Sequence, residues 1–225
     1  MRSRNHSALS LLPTSRDLFL AMLLVALSMA AMPAGASTCT GFSSVLTVPN
    51  STTAIGTGPF GDVCVELNSS TSATITFTAA TNYEFGDGSA AAVNVDATSY
   101  TPTFVSETGG SGNANFKEFD VSNANVDGHG TFNLILNNNN FGVAGPATEI
   151  VFDVSNDSGT WASAASVLTA NGSGFDAVAH VRWALGPANA NTGFAAEVVP
   201  EPASLMLLGM GVAGLATFGR KRIRS

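Results

Sequence analysis

Ala73-Thr74-Ile75-Thr76-Phe77-Thr78 alternates strictly between apolar and hydroxyl side chains. Successive side chains of a strand point to opposite faces, so Ile75 and Phe77 belong to a buried face and the threonines to a wet one. A helix would instead need apolar residues three and four apart. The period of two recurs in both directions along the chain. Val63, Val65 and Leu67 share a face in Val63-Cys64-Val65-Glu66-Leu67, as do Ile150, Phe152 and Val154 between Glu149 and Val154. The pattern also predicts that Phe132, Leu134 and Leu136 lie together, and that Ala177, Ala179, Val181 and Trp183 align. One dry and one wet face per strand is the mark of antiparallel sheets.

Turn residues punctuate these runs. Asp87-Gly88, Asp127-Gly128 and Asn171-Gly172 are turn dipeptides, and Asn137 to Asn140 is a polar tract. About nine to eleven short strands so spaced predict an all-β domain, an antiparallel β-sandwich or jelly roll. Thr160 to Leu168 suits either a helical turn or a strand, and Ser106 to Asn115 reads as a surface loop.

The domain is bounded by two atypical ends. Arg2, Arg4 and Arg16 precede an uncharged apolar run from Leu18 to Ala30, and Ala34-Gly35-Ala36 comes after it. This order predicts a signal peptide over residues 1–36; the run is shorter than the about 20 residues that span a bilayer. The body is then 37–197. At the other end Val199-Pro200-Glu201-Pro202 leads into the apolar run Ala203 to Phe218, then Arg220, Lys221, Arg222 and Arg224. As a helix the apolar run measures about 24 Å, close to the about 30 Å of a bilayer core, which predicts a transmembrane helix. The basic tail would stay cytoplasmic and the body on the far side, in agreement with the signal peptide.

Charge obeys the same division. Of the 9 basic residues only Lys117 and Arg182 fall in the body, whereas most of the 16 acids do, so the body is more acidic than the net charge of -7 suggests. Such a surface repels phosphate backbones and excludes nucleic acid as a partner. Cys39 and Cys64 are the two cysteines, and in an oxidising compartment they are expected to form a disulfide.

Chemistry-bearing groups are few. His129, in Asp127-Gly128-His129-Gly130, reads as a solvated turn histidine, and His180 faces away from the apolar side of its strand. No Gly-x-Ser-x-Gly elbow, phosphate loop or His-Glu-x-x-His motif is present. Glu118 and Asp120 are two apart on one strand, the pattern a sugar hydrolase would need if a cleft held both. Asp153 and Asp157, and Asp120 and Asp127, stand in Asx-rich turns that offer oxygens to calcium, but neither run ends in the glutamate of an EF-hand. Trp183 is in phase with the core, and Trp161 either joins the core or is exposed as the one aromatic for stacking on a sugar. The expectation is a protein that is not an enzyme and has no resident cofactor, with a calcium- or glycan-binding adhesive module and a secreted hydrolase as alternatives.

The C-terminal order closely resembles the PEP-CTERM sorting signal of exported proteins of Gram-negative bacteria. The resemblance covers about residues 199–224: Val199-Pro200-Glu201-Pro202, the apolar run and the basic end. It implies processing by an exosortase, a membrane-embedded cysteine protease-transpeptidase that recognises the Pro-Glu-Pro region. It also implies a precursor held in the inner membrane with a periplasmic body, later released to the cell surface or outside the cell. The family is associated with exopolysaccharide and biofilm matrix.

Overall fold

The computed structural model describes residues 39–86, 88–109, 116–138, 147–185 and 192–197. The expected signal peptide, the Pro-Glu-Pro stretch, the transmembrane helix and the basic tail all lie outside the described residues. Within them are β1 (Phe42–Pro49), the short helix α1 (Thr52–Ile55), β2 (Gly61–Ser69), β3 (Ser72–Ala79), β4 (Tyr83–Phe85), β5 (Ala91–Val93) and β6 (Tyr100–Thr108). Next come β7 (Phe116–Asp120), β8 (Ala124–Val126), β9 (Gly130–Phe132), β10 (Leu134–Asn138), β11 (Glu149–Asn156), a 3₁₀ turn (Ala164–Ser166), β12 (Ala177–Trp183) and β13 (Thr192–Glu197). Among the described residues no helix is long and apolar enough to cross a membrane.

Eleven strands make one antiparallel sheet in the order β6-β11-β3-β2-β1-β13-β12-β5-β10-β7, with β4 added to β12; β8 and β9 form a separate ribbon. The first and last strands are neighbours in the middle of the sheet. The sheet doubles over its own core. Phe119 of β7 packs edge-on against Phe152 of β11 at 5.7 Å, although these strands stand near opposite ends of the hydrogen-bonded order. Tyr100 of β6 crosses in the same way, its hydroxyl donating to the Asn133 carbonyl at 2.5 Å.

The interior obeys the alternation. Val63, Val65, Ala73, Ile75, Phe77, Ile150, Phe152, Val154, Ala177, Ala179 and Val181 are buried in one cluster. The threonines of β3 are half-buried on the other face, where Thr74 donates to Asp153 at 2.6 Å. A smaller cluster of Ala92, Val126, Phe132, Ile135, Val178 and Ala196 lies under the β8–β9 ribbon.

Two expectations are corrected. Phe132 does not join Leu134 and Leu136: it belongs to the smaller cluster, and they to the larger. The strand breaks at Asn133, whose side-chain amide takes the place of a peptide group. It accepts from the Val95 N–H at 2.8 Å and donates to the Val95 carbonyl at 2.9 Å. Trp183 is 41% exposed rather than core: it is the last residue of β12, paired there with Tyr83 of the three-residue β4. Trp161 is 3% exposed, and its indole N–H donates to the Asp96 carbonyl at 2.8 Å, which gives a buried indole the partner it needs. The ambiguous stretch around it forms the 3₁₀ turn, and Leu168 bridges to Val95.

Candidate functional site

The last described residue of β13 is unusual. β13 lies between β1 and β12, with Leu46 opposite Glu197 on one side and Val178 opposite Ala196 on the other. Alternation turns Ala195 and Glu197 toward the main core, which already holds Leu46 and Ala177. Glu197 is fully buried, and among the described residues neither carboxyl oxygen has a hydrogen-bond partner. The amides of Asp176 and Ala177 act on this carboxyl without reaching good hydrogen-bond geometry. Asp176, just before β12, is also buried and leaves Oδ1 without a partner.

Burial penalises the charged form of both acids. It pushes the Glu197 carboxyl up to about 8, the neighbouring Asp176 adds to the rise, and the two amides oppose it. Burial raises Asp176 as well. Ser44 of β1, two residues before Leu46 and facing the same side, is buried with its hydroxyl unpartnered. Three polar side chains at one end of the molecule therefore lack the partners that buried polar groups normally have.

The same end carries the start of the domain. β1 runs antiparallel to β13, so the chain enters beside the place where β13 leaves. Cys39 is disulfide-bonded to Cys64 of β2, as expected. Thr40 donates twice to Glu66, from its N–H at 3.0 Å and its hydroxyl at 2.5 Å, and these bonds hold the Glu66 carboxyl below the usual range. Gly41 has to be glycine, since a Cβ there would run into the Val65 carbonyl. Cys39, Cys64 and Glu66 are the only three metal-ligating side chains gathered within 4.8 Å of one another among the described residues, and both sulfurs are used in the disulfide.

A polar cleft of about 440 Å³ adjoins this end, lined in part by Asn94, Asp96, Thr98, Asn133, Ser158 and Thr160. Asn94 connects it to the acid pair through its N–H, which donates to the Asp176 carbonyl at 2.8 Å.

The residues singled out from sequence are dispersed. Asp153 accepts from Thr74, and Asp157 from Thr101 at 2.8 Å. Asp120 accepts from the Ser122 N–H at 2.8 Å and its hydroxyl at 2.5 Å, which lowers its pKa. Asp127 receives a 3.4 Å contact from the Asn50 amide. The four do not converge. Glu118 is exposed, while Asp120 is occupied by its own turn. His129 is corrected: it is 1% exposed, edge-on to Phe175 at 5.0 Å, and burial lowers its pKa. His180 stacks on Phe194 at 4.6 Å.

Glu197 and Asp176 were not anticipated from sequence. The available signal was an acid in phase with Gly193 and Ala195 in Gly193-Phe194-Ala195-Ala196-Glu197-Val198-Val199, a run otherwise free of charge.

Immediately beyond Glu197, residues 198–222 match the family model of the PEP-CTERM protein-sorting motif. The chain carries a PEP-CTERM sorting motif. The match takes in Val199, Pro200, Glu201 and Pro202 together with Arg220, Lys221 and Arg222, and it ends before Arg224. A PEP-CTERM motif is a sorting signal, so the match supports an exported protein whose precursor is membrane-anchored before processing. No curated protein and no solved structure matches the chain.

Proposed function

We propose that this chain is an exported cell-envelope protein, processed by an exosortase at its PEP-CTERM motif and released as a cell-surface or extracellular-matrix component. The observation that carries the reading is the motif match at 198–222, starting at the residue after β13 ends. Charge supports the topology: the basic tail would hold the C-terminus in the cytoplasm and the acidic body in the periplasm. The disulfide suits an oxidising compartment. The mature body would work by binding rather than by catalysis, in association with exopolysaccharide and biofilm matrix; the engagement of Asp120 with Ser122 favours this over a hydrolase that pairs it with Glu118.

Replacing Glu201 with Ala, or deleting Arg220 to Arg224, is expected to leave unprocessed precursor in the membrane. Normal processing of both variants would contradict the reading.

A second reading for the mature body, a calcium- or glycan-binding adhesive module, is favoured by the polar cleft beside Asn94 and Asp96. Titrating calcium, and separately soluble polysaccharide, into the protein while monitoring its melting temperature tests it. A saturable rise supports the module, and an unchanged melting temperature in both titrations counts against it.

A further inference from the structure

The sorting-motif match begins at residue 198, directly after Glu197, the last described residue of β13. Val198 and Val199 are the two residues between Glu197 and Pro200, and at about 3.3–3.6 Å per residue the three steps from Glu197 to Pro200 reach at most about 11 Å. An enzyme that grips the Pro-Glu-Pro stretch therefore works close against the body. Peptide clefts bind extended segments through their main-chain groups. Those groups in the last residues of β13 face β1 on one side and β12 on the other. How readily the end of β13 leaves the sheet thus limits the length of chain that can be presented.

That end is weakly held by its side chains. Ala195 and Ala196 have little apolar surface to lose, and Glu197 places an unpartnered carboxyl in the core. The groups around that carboxyl do not neutralise it. Asp176 repels its charge, the amides of Asp176 and Ala177 offset its burial only in part, and β1 presents Leu46 and the unpartnered Ser44. When the strand end opens, the carboxyl recovers its hydration, a gain that an apolar residue in its place would lack.

We propose that Glu197 is the release point of the last strand: its buried, unpartnered carboxyl lets the end of β13 peel out of the sheet and lengthens the segment offered to the processing enzyme. Glu197 is a positioning residue in this scheme, acting on the strand and not on the bond that is cut. Cleavage of a locally opened protein tracks the population of the open form. The inference rests on the sorting reading above.

The test compares full-length precursors carrying Glu197→Met, Glu197→Gln or Glu201→Ala with the unsubstituted chain. Processing is measured by pulse–chase in the native cell, and amide hydrogen exchange on the purified full-length precursor. Glu197→Met is expected to slow processing at least about fivefold and to protect the Ala195 and Ala196 amides by a similar factor, with the Ile75 and Phe77 amides unchanged. Glu197→Gln should lie between it and the unsubstituted chain. Unchanged processing of both Glu197 variants, with Glu201→Ala blocked, would overturn this inference and leave the sorting reading intact. Slower processing without added protection would also overturn it, since Glu197 would then be acting by direct recognition. Normal processing of Glu201→Ala would overturn the sorting reading, and this inference with it.

Discussion

β3 and β13 are both interior strands, each hydrogen-bonded to a neighbour on either side, yet they are built in opposite ways. β3 sends Ala73, Ile75 and Phe77 into the core and partners its outer face, where Thr74 meets Asp153. β13 sends in Gly193, Ala195 and a carboxyl with no partner. Burying Ile or Phe contributes about 1.5–3 kcal/mol each, whereas an alanine methyl adds little and an unpartnered polar group costs free energy. Two strands in the same ladder can therefore differ widely in how firmly they are held. The firm one sits in the body's core, and the weak one stands next to the sorting motif.

The largest effect expected from breaking this contrast is at its firm side. Phe77 is fully buried, 6.1 Å from Phe85 and 6.2 Å from Phe152. Phe77→Ala should cost about 3–5 kcal/mol in urea unfolding; a loss of under about 1 kcal/mol would mean that β3 is not the anchor described. Next comes the disulfide that pins the start of β1 beside the exit of β13. Its sequence separation is 25 residues, so opening it by Cys39→Ser with Cys64→Ala should lower stability by about 3 kcal/mol, read from melts of variant and unsubstituted protein.

The pH dependence sharpens the weak side. The folded Glu197 pKa, about 8, lies above its ordinary 4.5, so the folded protein binds the extra proton. Its penalty is absent below about pH 4.5, grows as pH rises and is complete above about pH 8. Between about pH 5 and pH 7 this amounts to about 2–3 kcal/mol, which Glu197→Gln should remove. Equal slopes for the two proteins in that window would show that Glu197 is not the group responsible. The smallest effect is expected at Asn133→Ala, which strips two hydrogen bonds from the Val95 backbone. It should cost about 1–2 kcal/mol, measured by the shift of the urea midpoint at constant slope.

Much of β3 and β11 was legible because their alternation runs unbroken and the side that repeats is apolar, and β2 keeps the same phase although Cys64 is buried between Val63 and Val65. The reading failed wherever burial is set by distant chain. The Phe132 to Leu136 run looked like one strand, but the Asn133 amide serves Val95, which sequence spacing does not reveal. Trp183 kept the right phase but stands exposed at the end of β12, and Trp161 had no phase yet found the Asp96 carbonyl. His129 sits in a turn, as its glycines indicated, but Phe175 and the backbone of β13 cover it. The sorting motif was readable because it is local and contiguous. The acid pair was not, since Asp176 and Glu197 come together only when β12 and β13 pair.

The most direct test of the account is the intact mass of the protein recovered from its native cell. Processing at both ends predicts a chain that begins at Ser37, keeps the disulfide and lacks the basic tail from Arg220 onward. A mass that still includes Arg220 to Ser225 on protein outside the membrane would contradict it.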